Sequence, residues 1–101
     1  MAQRLDLHAL FKALLGSDNV YFQPPSNVQM KYPCIVYERD GVDTRHADNS
    51  DYTRKWEYSV TYIDRNPDSP MVETLADLPL CGFDRSFPSD DLYHNVFTLY
   101  F

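Results

Sequence analysis

Glycine is scarce in this sequence, with three among 101 residues. That scarcity excludes one class of function at the outset, because a loop that cradles phosphate with its backbone amides needs glycines at fixed spacing, and no such run is present. Cysteine is sparser still. Cys34 and Cys81 stand far apart, in apolar surroundings within predicted strands, so they write neither a metal knuckle nor a disulfide framework. The start of the chain, Met1 to His8, carries charge too often for a signal-peptide core, and both thiols are expected to be reduced and buried in a cytoplasmic protein. Positive charge is short as well: nine Lys and Arg face fifteen Asp and Glu, for a net charge of −6 and a pI near 4.7. Neutralising a nucleic-acid backbone or an anionic membrane requires a basic cluster that this chain lacks. No apolar run approaches the roughly 20 residues that span a bilayer, so no membrane partner is expected.

What is abundant is the aromatic ring. Eight Tyr, six Phe and one Trp make up 15% of a chain that is 44% hydrophobic. Tyrosine buries a ring while its hydroxyl seeks a partner, which suits strands with a wet rim, or surfaces shared with another chain. The length allows one domain and one core over 1–101. Its organising stretch is Arg54 to Arg65, where Trp56, Tyr58, Val60 and Tyr62 alternate with Lys55, Glu57, Ser59 and Thr61. An extended backbone sends the first set to one face and the second to the other, as in a half-buried strand.

The remaining elements follow in order. Leu7, Leu10, Phe11 and Leu14 recur at helical spacing, with Leu15 widening the stripe and Gly16 placed for a left-handed cap, so a helix is expected over about 4–15. Val20-Tyr21-Phe22, stopped by Pro24-Pro25, reads as a short edge strand. Pro33 leads into a strand from Cys34 whose extent is ambiguous: Asp40-Gly41 suits a two-residue hairpin turn, whereas the cluster from Ala47 to Asp51 is the stronger turn signal. The favoured reading is a strand to about Arg45 with Gly41 as a bulge, then a loop to about Tyr52. The polar half of that hairpin would project roughly 20 Å at about 3.3 Å per residue. Ser69 as N-cap and Pro70 at the first helical position open a second helix with Val72, Leu75, Ala76 and Leu78 as its stripe. Cys81–Phe87 and Leu92–Phe101 form a terminal hairpin whose last strand is apolar on both faces. The expected fold is α+β: a mostly antiparallel β-sheet with two helices packed on one face and a long protruding β-hairpin.

Catalytic constellations are not apparent. His8, His46 and His94 fall on a helix, a loop and a strand without metal-ligand spacing. Cys34 and Cys81 begin strands rather than sitting at a sharp turn or helix start, which argues against a cysteine hydrolase. Asp40, Asp43, Asp48, Asp51 and the pair Asp90-Asp91 lack the ordered spacing of a calcium loop and read as a solvated face. No enzyme activity, metal or cofactor is expected. What remains is a charged flank on the long hairpin, and the candidate inter-subunit or partner-contacting residues are Arg39, Asp40, Asp43, Arg45, Asp48, Asp51, Tyr52, Arg54 and Lys55. Interleaved opposite charges can set the register of one subunit against another; equally, they can be an ordinary charged edge that blocks aggregation.

A resemblance adds to this reading. Tyr32-Pro33-Cys34-Ile35-Val36-Tyr37, Arg45 to Asn49, Thr61 to Ser69, Leu78 to Arg85 and the close Asn95 to Phe101 together resemble small tail terminator proteins of long-tailed bacteriophages, also described as minor tail or tail-to-head joining proteins. The similarity covers nearly the whole chain from about Tyr21 and rests on pattern and order, not on a catalytic signature. It implies an α+β fold and a homo-oligomeric ring, usually a hexamer. Such a ring caps the tail tube protein, docks onto a head-side connector protein, and lies at the head-proximal end of the tail in the virion after assembly in the host cytoplasm. Six copies at −6 each would carry −36, which would disfavour adhesion of DNA passing through the lumen. Alternatives are another connector of the stopper or completion type, or an acidic monomeric binding or inhibitor module.

Overall fold

Leu7 and Phe11, one helical turn apart, are fully buried, and they fix α1 (Arg4–Leu15) against the sheet. Leu10, Leu14 and Leu15 flank them, partly covered. The helix stops at Gly16, whose φ of +76° is the left-handed cap conformation and whose N–H donates to Lys12 O at 2.9 Å. A computed structural model of the chain describes residues 4–25, 29–46, 52–89 and 91–101, and the side chains of all of these except 42–46 and 52–55.

Five strands follow: β1 (Val20–Phe22), β2 (Cys34–His46), β3 (Tyr52–Asp64), β4 (Cys81–Ser89) and β5 (Leu92–Tyr100), with α2 (Met71–Ala76) between β3 and β4. They form one sheet in the order β1-β2-β3-β5-β4. All neighbours are antiparallel except β1, which lies parallel to β2 over Val20–Phe22 opposite Ile35–Tyr37. The fold is thus the expected α+β arrangement with a mostly antiparallel sheet. Asp40-Gly41 is not a turn: β2 continues through it, and the ladder with β3 shifts register between Arg39 and Gly41. The extra residue is therefore Asp40, one position before the bulge expected at Gly41. Pairing continues to His46 opposite Tyr52. The projection expected of this hairpin's far half, and its loop, fall outside the described residues and side chains.

Alternation then sorts the core. Ile35 and Tyr37 of β2, Tyr58, Val60 and Tyr62 of β3, and Phe97 and Leu99 of β5 share one face, and α1 and Leu75 of α2 close over it in a single cluster. Each of these residues is at most 2% exposed. At ~25 cal/mol per Å² of apolar surface, a face carrying three buried tyrosines and a phenylalanine supplies most of the driving force for folding. The tyrosines satisfy their hydroxyls: Tyr62 donates to Asp64 Oδ2 at 2.7 Å and lies 3.0 Å from Ser69 Oγ. Ser69 in turn accepts from the Met71 N–H at 3.3 Å, but it is not the N-cap expected of it: Pro70 occupies that position without a side-chain cap, and the helix starts one residue later than expected, at Met71. Ala76, expected on the stripe of α2, is exposed, because this six-residue helix buries only Leu75 fully.

The second face is not bare. Cys34, Ile63 and Leu92 form a small cluster there, with Tyr21, Met30, Tyr32 and Val36 packed against it. The connector that carries Met30 and Tyr32 is tied down by the Lys31 N–H donating to the Tyr21 hydroxyl at 3.1 Å. Burial on both faces explains why β5, central between β3 and β4, is apolar on both of its sides.

Candidate interface

Of the sequence-derived candidates, Arg39 and Asp40 are exposed at the bulge of β2. Arg39 does not point freely into solvent. Its guanidinium carbon lies 4.1 Å from the centroid of the Trp56 ring and 5.8 Å from that of Tyr58, and Nη2 donates to the Tyr58 hydroxyl at 3.4 Å. Stacking of this kind pre-orders the long side chain and leaves its charge at the surface. Asp43 stands opposite Lys55, Thr44 opposite Arg54, Arg45 opposite Thr53, and His46 opposite Tyr52 in the ladder, so the strand portion of the candidate set is brought to one end of the β2–β3 hairpin. The side chains of Asp43, Arg45, Tyr52, Arg54 and Lys55, and the whole of Asp48 and Asp51, lie outside what is described.

A second aromatic and cationic group adjoins the first. Arg4 of α1 lies 4.3 Å over the Phe22 ring, and its Nη1 donates to the Tyr37 hydroxyl at 3.3 Å. His8 Nδ1 is 2.7 Å from the same hydroxyl. Burial, with Arg4 and Lys12 adding to it, pushes the His8 pKa down, which favours the neutral ring in this contact. Burial likewise raises Tyr37, so that both partners are neutral at physiological pH. This histidine is a satisfied structural one.

Sequence reasoning missed the other side of the sheet. β4 is its outermost strand, bonded to β5 along one edge only, and every residue from Gly82 to Pro88 is exposed. Of the five large apolar side chains most exposed among the described residues, three stand on β4 or directly before it: Leu80 at 54%, Phe83 at 52% and Phe87 at 40%. Phe83 leans edge-on against Phe97, and Phe87 stacks flat on His94 at 5.0 Å. Beside Leu80 an open apolar groove of about 290 Å³ is lined by Leu10, Leu78, Leu99 and Phe101. The signal was present in the sequence as Phe83 and Phe87, but their spacing reads equally well as a strand facing a core.

The thiols offer little chemistry. Cys34 is fully buried and its pKa is pushed up to about 12 by that burial, and Cys81 is raised for the same reason. Among the described residues, no group of three or more His, Cys, Asp or Glu is placed to hold a metal ion, and no helix is long and apolar enough to cross a membrane. No family model, no curated protein and no solved structure matches the chain.

Proposed function

We propose that this chain is a non-enzymatic structural protein of a bacteriophage particle, which forms a ring that caps the tail tube, ends its polymerisation and joins the tail to the head connector. The observation that carries the proposal is the ordered set of sequence runs from Tyr32 to Phe101 that resemble tail terminator proteins. Four of those runs fall on the entry to β2, the end of β3 with its turn into α2, the entry to β4, and β5, while Arg45 to Asn49 begins at the end of β2 and otherwise lies outside the described residues. They are therefore spread over the sheet and not confined to one loop. The charged far half of the β2–β3 hairpin, with Arg39 and Asp40 at its base, is the proposed contact with neighbouring subunits or with the tube. The acidic balance of the chain suits a lumen through which DNA passes without adhering.

The test is localisation together with loss of the gene product. In particles assembled with labelled protein, the label should lie at the junction of capsid and tail. Without the protein, tails should be over-long and unattached to heads. Label found elsewhere on the particle, or normal joined tails in its absence, would overturn the proposal.

A further inference from the structure

The sheet ends in two dissimilar open edges. On one side β4 is the last strand. Tyr100 N–H donates to Leu80 O at 3.0 Å, while Cys81 N–H turns back to Leu78 O. By the alternation of an antiparallel ladder, Phe83, opposite Phe97, then turns its own N–H and C=O away from β5. On the other side β1 covers β2 only as far as Phe22 opposite Tyr37, where Gln23 completes the pairing by donating to Tyr37 O and accepting from the Arg39 N–H. Trp56 exchanges both its backbone bonds with Phe101, so Glu57 turns its groups toward Gly41 of β2. The same alternation leaves the backbone groups of Val42, Thr44 and His46 facing outward, with no strand beside them among the described residues.

The two edges are complementary in direction. β2 is antiparallel to β3, β3 to β5, and β5 to β4, so β4 runs opposite to β2. A second copy in the same orientation would set its β2 antiparallel to the first copy's β4 and continue the ladder. With the Arg39 N–H taken by Gln23, the free outer backbone of β2 runs from Val42 to His46; with the Cys81 N–H taken by Leu78 and no N–H on Pro88, β4 offers the outward groups of Phe83 and Ser86. We propose that β4 of one copy adds to the outer edge of β2 of the next, a head-to-tail contact that leaves both edges open on the outermost copies and can close only as a ring. Leu80 and Phe83 would be covered at this seam, and Arg39 and Asp40 would lie within it. The closed ring rests on the functional reading above; the edge pairing does not.

The experiment is amide exchange by mass spectrometry on the full chain across a dilution series, with mass measured by light scattering. Association should protect the peptides spanning 80–89 and 38–46 together, and dilution should release both together. Phe83→Lys places a charge on the free edge and should weaken self-association at least about tenfold. Tyr93→Lys, an exposed position on the central strand β5, should leave association unchanged. Far-UV circular dichroism checks the fold of each variant, and the wild-type exchange pattern decides the matter should Phe83→Lys fail to fold. The inference is overturned by a wild-type chain that stays monomeric, by association without protection of either edge, by protection of 80–89 alone in a closed dimer, or by protection that appears only when tail tube protein is added. A ring at the capsid-tail junction whose edges exchange freely would sink the edge pairing and leave the functional proposal standing. Paired edges in a protein absent from that junction would do the reverse.

Discussion

Removing the Tyr37 hydroxyl and removing its ring should have very different costs, and the difference measures how this fold is held. The ring is fully buried. It meets Phe11 edge-on at 5.2 Å, Phe22 at 5.0 Å, His8 at 5.7 Å and Tyr58 at 5.9 Å, so it joins α1, β1, β2 and β3 at one point. Truncation to alanine leaves a large cavity among these rings and should cost about 3–5 kcal/mol, as buried aromatic truncations do. Small domains have about 5–15 kcal/mol in total, so Tyr37→Ala should be marginal or unfolded at 37 °C. Tyr37→Phe keeps every ring contact and loses only the hydroxyl, which links Arg4 and His8 at the edge of the core. With those partners partly open to water, the loss should be about 1 kcal/mol, or a fall of roughly 4–8 °C in Tm. Urea unfolding followed by far-UV circular dichroism measures both variants, with Trp56, the single tryptophan, as a second probe. Equal destabilisation by the two variants would refute the assignment of stability to ring packing. A small cost for alanine would show that α1 is not anchored through this residue.

Two further outcomes follow from the protonation states. His8 has its folded pKa depressed below 6.5, so the unfolded chain takes up the proton first as pH falls. Its contribution should be constant above pH 7, decline as pH drops through the unfolded value, and level off once the folded histidine also protonates. His8→Gln should flatten the melting midpoint between pH 7 and 5, and an unchanged slope would count against the neutral contact with Tyr37. Cys34, with its thiol pushed up to about 12, should resist alkylation at pH 8 in the native protein and react only as fast as the molecule opens. Half-buried Cys81 should react sooner, and fast native labelling of Cys34 would refute its burial.

Much of the fold was legible because its elements carry strong periods. Leu7 and Phe11 announce α1; Tyr58, Val60 and Tyr62 announce β3; and the turn chemistry of Ser69-Pro70 places α2 within a residue. Three features were not legible, each because it depends on tertiary neighbours. The parallel pairing of β1 depends on Val20–Phe22 lying beside Ile35–Tyr37, with Met30 and Tyr32 packed on the second face, and no local pattern marks that. Ala76, at the last position of so short a helix, is left exposed, and Leu78, the other expected stripe residue, falls beyond its end. In β4 the register shift between Phe83 and Arg85 breaks the alternation, so Phe83 packs toward Phe97 on the helix-covered face while Phe87 stacks on His94 of the other. A bulge cannot be seen in Phe-Asp-Arg-Ser-Phe.

The candidate interface divides along the same line. Charge in sequence singled out the far half of β2, since a strand that alternates Arg39, Asp40, Asp43 and Arg45 is visibly not a core strand. Nothing in that charge says what lies beside it. Strand order supplies the surface proposed to meet it: only once β5 is seen to insert between β3 and β4 does β4 become an edge, with Leu80 and Phe83 uncovered and a polarity opposed to β2. An exposed nine-residue edge strand carrying phenylalanines is a standing template for another chain. Its local guards are Pro88, the bulge, and the Asp84–Arg85 pair at 2.7 Å, an exposed contact that contributes little to stability. Edges that stay uncovered are commonly blunted by lysines or by a shorter strand, and Phe83, 52% exposed at this open edge, is the feature on which the proposed partner strand rests.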